Sequence, residues 1–112
     1  VTLINPAYTA NEISKQLENS EADAVITNDA KYSVVMESFK LAKISSKSPI
    51  IVITDTTDVP TGSINFWDLV SDKVEEFRRM GGRTMINPES DTSVLPYSSG
   101  TTGLPKGVEL TH

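Results

Sequence analysis

Hydrophobic residues in the first part of the chain alternate between helix-like and strand-like spacing. Thr9 and Glu12 stand at the two positions of a capping box, which predicts a helix that begins at Thr9 and ends near Ser20. The short, β-prone run 24–27 follows and predicts a strand. This change of period from helix to strand is typical of α/β proteins.

The same alternation continues through two further helices and one strand. A second helix is predicted from the cap Asn28–Asp29 to about Lys43, with a buried face made of Tyr32, Val35, Met36 and Phe39. The continuous apolar run 50–53 predicts a strand of a parallel sheet that is covered on both faces. A third helix is predicted from about Phe66 to Met80, with an inward stripe of Trp67, Val70, Val74 and Phe77.

The order of these elements predicts an α/β fold. With the mainly apolar residues 1–4 counted as an opening strand, the chain reads strand, helix, strand, helix, strand, helix and a final hairpin. Right-handed crossovers then give a partial, mostly parallel sheet with helices on both faces, and ligand loops at the strand ends. We expect this sheet to be followed by a phosphate-binding loop between two strands.

Composition narrows the class of protein without naming a function. The chain has 112 residues, 38% of them hydrophobic and 22% charged, which is typical of a globular domain. It has no apolar run long enough to predict a membrane span. A net charge of -5 and a single Trp argue against nucleic-acid binding, and the lack of cysteine excludes disulfides and Cys-ligated zinc. Asp55 and Asp58 lie in a turn-rich stretch and are interpreted as solvated turn residues, not as a metal pair.

The two ends of the sequence lead us to expect a piece of a larger domain. The chain has no starting Met, opens in mid-pattern at Val1 and stops at His112, where a new element is expected. A piece of this kind exposes strand edges that a complete domain covers. We therefore expect the 112-residue chain alone to be marginally stable or prone to aggregation.

The segment 97–108 carries the candidate chemistry of the chain. Its sequence is YSSGTTGLPKGV, and the apolar runs 94–97 and 108–110 flank it. Gly100 and Gly103 lack a Cβ atom, so the backbone there can bring its N–H groups close to an anion. The pattern predicts a glycine-rich anion-binding loop between two strands.

Hydroxyl groups and one cation complete this predicted site. Lys106 is the only formal charge between Val94 and Val108, which favours a specific anion site over a general basic patch. The hydroxyl donors to phosphate oxygens are Ser98, Ser99, Thr101 and Thr102. Hydroxyl oxygens also suit Mg²⁺, and Thr101 or Thr102 is the candidate ligand.

Two other interpretations fit this segment less well. A flexible Ser/Gly linker needs neither strand-like flanks nor the stiff exit formed by residues 105–107. The nucleotide-binding pattern G-x-x-x-x-G-K-[ST], counted from Gly100, requires glycine where Pro105 stands and Ser or Thr where Gly107 stands. The chain is therefore expected to leave the loop as a strand and not as a helix.

Segment 97–108 resembles the signature loop of the adenylate-forming acyl-CoA synthetases, the AMP-binding family that includes 4-coumarate–CoA ligase and firefly luciferase. That signature runs [YF]-[ST]-S-G-[ST]-T-G-x-P-K-G-V, and residues 97–108 match it without a gap. Residues 110–112 are similar to the continuation of the loop in the family, and residues 4–9 to the upstream segment that enters a helix. The resemblance therefore covers the whole chain.

The resemblance implies an ATP-dependent acid–CoA ligase. Such an enzyme joins a small-molecule carboxylic acid to ATP, giving an acyl-adenylate and pyrophosphate, and coenzyme A then displaces AMP. With Mg²⁺ as cofactor, the implied ATP contacts are Ser98, Ser99, Gly100, Thr101, Thr102, Gly103 and Lys106, and Gly103 and Pro105 also shape the loop.

The resemblance also implies which parts lie elsewhere. Residues 1–112 correspond to a slice of the large N-terminal AMP-binding domain, and the catalytic lysine of the family lies in a C-terminal domain beyond His112. No catalytic residue is assigned within the chain, and the chain alone is expected to be inactive. Three alternatives stay open: an adenylation domain that loads a carrier protein, a luciferase-like monooxygenase, and a non-catalytic nucleotide-binding homologue. The acid and the oligomeric state are left open as well.

Overall fold

A computed structural model describes residues 1–44, 48–70, 86–98 and 106–112. Their contacts divide the chain into two units, one formed by residues 4–69 and the other by residues 1–3 together with 70–112.

Helix α1 (Ala10–Ser20) begins at the predicted capping box. The Thr9 hydroxyl accepts a bond from the Glu12 amide, and the Glu12 carboxylate accepts one from the Thr9 amide at 2.8 Å. The helix ends at Glu21, whose φ of 51° is left-handed, and Ala22 N–H donates to the carbonyl of Leu17 at 3.3 Å. These bonds satisfy backbone groups that a helix leaves unpaired at its ends.

Strand β1 (Val25–Asn28) leads directly into helix α2 (Asp29–Leu41). The Asn28 side chain caps the helix by accepting a bond from the Lys31 amide at 3.1 Å, which confirms the predicted start. Val35 and Phe39 of the predicted face are buried, and Tyr32 and Met36 are half-buried. The helix ends two residues before the predicted Lys43.

The sheet of this unit contains three parallel strands. Strand β2 (Ile50–Ile53) pairs with β1 and with the short strand β3 (Ile64–Asn65), which gives the order β1-β2-β3. The parallel arrangement confirms the α/β prediction. Strand β3 was not predicted, because two residues are too few to show a period.

The two faces of this sheet differ in the residues that surround them. A buried cluster joins both helices to one face and contains Ile13, Leu17, Val25, Val35, Phe39, Ile50 and Val52. On the other face, Ile26 is 58% exposed, Ile53 is 42% exposed and Ile64 is 38% exposed. The prediction that β2 is covered on both faces is thus not met within the described residues, and a helix on the second face stays a prediction.

The third helix differs from its prediction over the part that the structure describes. Helix α3 spans Phe66–Leu69, and residues 71–80 of the predicted helix lie outside the described residues. Trp67 was placed on an inward stripe, but its side chain is 56% exposed, and Val70 is 55% exposed. The Trp67 indole N–H still has a partner, since it donates to the Thr54 carbonyl at 2.9 Å.

Within the described residues, the second unit has four short strands in two antiparallel pairs. Strand β4 (Thr92–Val94) pairs with β7 (Leu110–Thr111), and β5 (Tyr97–Ser98) pairs with β6 (Lys106–Gly107). The chain therefore continues after residues 99–105 as a strand, as predicted, although this strand covers residues 106–107 and not the predicted run 108–110. None of the helices within the described ranges is both long and apolar enough to cross a membrane.

The predicted opening strand at residues 1–4 is wrong. No strand is assigned there, and Val1 instead hydrogen-bonds to the chain ahead of β5. Its ammonium group donates to the Ser93 carbonyl at 3.0 Å, and its carbonyl accepts from the Leu95 amide at 2.7 Å. Because Val1 is 85% exposed and Leu3 is 76% exposed, their apolar character does not reflect burial in the parallel sheet.

Candidate functional site

The candidate site is held by the hairpin of β5 and β6, the two strands that enter and leave the signature loop. Tyr97 lies opposite Gly107 and Ser98 lies opposite Lys106 in the antiparallel register. The Val108 amide adds a bond to the Pro96 carbonyl at 2.9 Å on the side away from the loop. This pairing holds Ser98 and Lys106, the described residues on either side of positions 99–105, opposite each other.

Ser98 and Lys106 are the predicted site residues that the structure brings together. They form the last described pair before the loop, and both side chains are exposed. A serine hydroxyl can donate one hydrogen bond, and a lysine ammonium can donate three and carries a positive charge. This donor set suits an anion such as phosphate.

The other predicted contacts lie in residues outside the described ranges. They are Ser99, Gly100, Thr101, Thr102 and Gly103. Their part in binding ATP, and the choice of Thr101 or Thr102 as a ligand of Mg²⁺, therefore stay predictions. Asp55 and Asp58, interpreted as turn residues, are both exposed.

Tyr97 is the half-buried residue at the base of this hairpin. Burial raises the pKa of its phenol above the ordinary value of 10.0, so the hydroxyl stays protonated at neutral pH. An aromatic side chain in this position is part of the signature pattern, but the sequence does not reveal what the ring contacts. Its packing partners become visible only in the structure.

A second group of polar residues, which the sequence interpretation missed, lies where β2 and β3 end. The Thr54 hydroxyl donates to the Asp29 carboxylate at 2.8 Å and accepts from the Thr56 amide at 3.2 Å. Asn65 contributes two bonds, since its amide nitrogen donates to the Thr56 carbonyl at 3.4 Å and its amide oxygen accepts from the Trp67 amide at 2.9 Å. These bonds fix the carboxyl ends of the parallel strands.

The place of Thr54 in the sequence, directly after an apolar strand, is a signal from which this group could have been predicted. Thr54 and Asn65 each directly follow an apolar strand residue, and ligand loops and polar side chains collect at the carboxyl edge of parallel sheets. Thr54 is 5% exposed and Asn65 is 7% exposed, so their polar atoms are satisfied mainly inside the protein. The group acts as a structural tie between strand ends.

Comparison with known proteins identifies a family model and individual relatives. The model for AMP-binding enzymes matches residues 1–112. 4-Coumarate-CoA ligase 1 of Narcissus pseudonarcissus is 40% identical over 111 residues, which are 99% of this chain and 18% of that protein. 4-Coumarate–CoA ligase 1 of Arabidopsis thaliana is 38% identical over 113 residues, or 99% of this chain and 19% of that protein.

A solved structure has the same arrangement of elements. The luciferase-like enzyme from the nonluminescent Zophobas morio mealworm aligns with a TM-score of 0.75 and 25% sequence identity. The alignment covers 97% of this chain and 24% of that one. The chain thus spans less than a quarter of the length of each of these relatives.

Proposed function

Because the chain belongs to the family of AMP-binding enzymes, we propose that the protein is an ATP-dependent acid–CoA ligase. In the first half-reaction, a carboxylate oxygen attacks the α-phosphorus of ATP. The bond between this phosphorus and the oxygen that bridges it to the β-phosphate breaks, and pyrophosphate leaves. In the second, the sulfur of coenzyme A attacks the acyl carbon and AMP leaves. The products are a thioester, AMP and pyrophosphate.

The observation that carries this proposal is the pairing of Ser98 with Lys106 across the two ends of the signature loop. The pairing brings a hydroxyl donor and an ammonium group to neighbouring strands. In the proposal, the backbone amides and hydroxyls of residues 99–103 complete a cradle for the β- and γ-phosphates. Lys106 then contributes the positive charge of this cradle.

The cradle addresses the main electrostatic difficulty of the first half-reaction. A carboxylate and a triphosphate are both anions, so their approach is unfavourable until the phosphate charge is neutralised. Fixed donors on the β- and γ-phosphates also stabilise the charge that develops on the departing pyrophosphate. Mg²⁺, held in part by Thr101 or Thr102, would supply further neutralisation of the phosphates. None of these side chains transfers a proton.

The test uses the full-length protein and the variant Lys106→Ala. The assay is acid-dependent exchange of labelled pyrophosphate into ATP, with 4-coumarate, the acid named in the relatives, as the first acid. We expect exchange to fall about 100-fold, since one charged donor to the transition state is lost. Lys31→Ala, an exposed lysine near the start of α2, is the matched control and should keep full exchange. Unchanged exchange in Lys106→Ala would disprove the assigned role.

The acceptor of the acyl group is tested separately. The two plant relatives are named as CoA ligases, which favours coenzyme A over a carrier protein. The structural relative is named luciferase-like, which keeps oxidation of the acyl-adenylate by oxygen as an alternative second half-reaction. Purified acyl-adenylate is offered to the full-length protein with coenzyme A, a phosphopantetheinylated carrier protein or oxygen. Thioester formation with coenzyme A alone supports the proposal. A product formed with the carrier protein or with oxygen contradicts coenzyme A as the second substrate.

A further inference from the structure

Gly107 of β6 is exposed to solvent, but two side chains of the strand segment that it faces lie close to its Cβ position. A Cβ atom at position 107 would lie 3.1 Å from Cζ of Tyr97. It would also lie 3.2 Å from Cδ1 and 3.3 Å from Cγ of Leu95. Carbon atoms in good contact are about 3.5 to 4.0 Å apart, so both side chains would have to move by a few tenths of an ångström to admit a Cβ atom.

Packing, and not backbone conformation, therefore favours the glycine here. Gly62 is the only glycine within the described ranges with a positive φ, at 90°, and it has no atom near its Cβ position. Gly107 shows the reverse combination, since its φ lies outside the left-handed region and its Cβ position is crowded. Glycine within a strand commonly marks such a close approach.

Gly107 lies next to predicted phosphate contacts on both strands of the hairpin. Tyr97 and Gly107 form the cross-strand pair next to Ser98 and Lys106. A shift of one residue in strand pairing would turn every side chain of a strand to the opposite face. The register of the first pair thus decides whether the Ser98 hydroxyl and the Lys106 ammonium stay opposite each other.

From this geometry we propose that Tyr97 and Leu95 act as positioning residues for nucleotide binding. Their side chains pack beside Gly107, hold β5 and β6 in one register, and so place Ser98 and Lys106 opposite each other where the two strands meet the loop. This inference rests on the proposed function, because Ser98 and Lys106 are positioned to bind the triphosphate of ATP. Neither Tyr97 nor Leu95 needs to touch the nucleotide.

The position of the tyrosine ring, and not its acidity, is the property that matters. Tyr97 is half-buried and its phenol is desolvated, which raises its pKa and keeps it neutral. A neutral ring lying against the glycine contributes contact area and shape to the hairpin. Phenylalanine should therefore serve in its place, and alanine should not.

The test measures ATP affinity by calorimetry and, in parallel, KM for ATP and kcat in the full-length protein. Gly107→Ala and Tyr97→Ala should each weaken ATP binding about tenfold or more, because small displacements of binding groups are costly. Their effect should appear in KM for ATP, with little change in KM for the acid. Tyr97→Phe should restore the affinity. Glu109→Ala, an exposed change two residues from Gly107, is the control and should bind ATP normally.

A rescue experiment separates positioning from a general loss of structure. Leu95→Ala removes two of the three close contacts to position 107, so the double variant Gly107→Ala/Leu95→Ala should bind ATP more tightly than Gly107→Ala. If Gly107→Ala does not fold, the double variant and Tyr97→Ala provide the measurement. Wild-type affinity in both Gly107→Ala and Tyr97→Ala would overturn this inference.

The same measurements distinguish this inference from the proposed function. If Lys106→Ala weakens ATP binding and the variants at positions 97 and 107 do not, the ligase proposal stands and the positioning role is wrong. If the wild-type protein does not bind ATP, or if Lys106→Ala keeps both the ATP affinity and the pyrophosphate exchange of the wild type, the proposed function itself fails.

Discussion

The hydroxyl of Thr54 donates to the carboxylate of Asp29 at 2.8 Å and thereby joins the end of β2 to the first turn of α2. The two residues are 25 positions apart in sequence. The same hydroxyl accepts from the Thr56 amide, so one buried oxygen serves a strand, a helix and a turn. A carboxylate in the first helical turn also interacts favourably with the helix dipole.

We expect Thr54→Val to destabilise the full-length protein by about 1 to 2 kcal/mol. The substitution keeps the shape of the side chain, but it leaves the Thr56 amide and the Asp29 carboxylate without this partner. Urea unfolding at neutral pH gives the change in the free energy of unfolding.

Thr27→Val provides a matched control for this measurement. Thr27 lies on the neighbouring strand, and its hydroxyl makes only a 3.5 Å contact to the Asn28 carbonyl. Its substitution should change the free energy of unfolding by less than about 0.5 kcal/mol. Equal effects of the two substitutions would show that the bond to Asp29 contributes nothing measurable.

The capping box of α1 predicts a pH-dependent contribution to stability. The backbone and hydroxyl bonds from Thr9 hold the pKa of the Glu12 carboxyl below its ordinary value of 4.5. Because the folded state favours the ionised form, the contribution is present above 4.5 and is lost as the pH falls through the lowered pKa.

Glu12→Gln isolates this contribution. The difference in unfolding free energy between wild type and Glu12→Gln should be constant near neutral pH and should shrink as the pH falls below 4.5. Urea unfolding in a series of buffers measures it. Glu18→Gln on the same helix controls for the loss of one exposed charge. A difference that grows on acidification would contradict the assigned direction of the pKa.

Local signals explain which parts of the fold could be predicted from the sequence. Thr9 and Asn28 begin their helices because each cap needs only residues within one helical turn. The apolar run of β2 is likewise local. These features are decided by neighbours in sequence, so the boundaries of α1 and the start of α2 agree with prediction.

Features that depend on distant partners were missed. Strand β3 exists because Ile64 pairs with Ile51, and two residues carry no period of their own. Trp67 looked like a core residue, but its indole N–H bonds to Thr54 while its ring stays half exposed. In the candidate site, the pattern predicted a strand on each side of the loop, but not that Tyr97 occupies the space beside Gly107.

The end of α1 predicts a stabilising substitution. Glu21 closes the helix at a φ of 51°, and a left-handed conformation costs a residue other than glycine about 1 to 2 kcal/mol. Glycine adopts it without strain, although it adds entropy to the unfolded chain. We expect Glu21→Gly to raise the free energy of unfolding by about 0.5 to 1 kcal/mol.

Thermal or urea unfolding of the full-length protein measures the effect of Glu21→Gly. Glu18→Gly, three residues earlier within the helix, is the opposite control. It should destabilise by about 1 kcal/mol, because glycine is a poor helix former. If both substitutions destabilise equally, the strain assigned to Glu21 is absent.

The exposed isoleucines of the parallel sheet predict how the 112-residue chain behaves alone. Ile26 pairs laterally with Ile51, and Ile51 with Ile64, so these side chains form a row across three strands. Exposed apolar rows of this kind promote association. We expect the isolated chain to bind a hydrophobic dye and to self-associate in sedimentation experiments, and Ile26→Lys to reduce both.

The same substitution tests whether a helix covers this row in the full-length protein. Burying an unpaired charge costs about 3 to 5 kcal/mol, so a covered Ile26 should make Ile26→Lys strongly destabilising there, although it improves the isolated chain. Leu41→Lys, at the 50% exposed end of α2, should do neither and serves as the control. Two results together would refute a helix on the second face. The isolated wild-type chain would be monomeric and bind no dye, and the full-length Ile26→Lys variant would have normal stability.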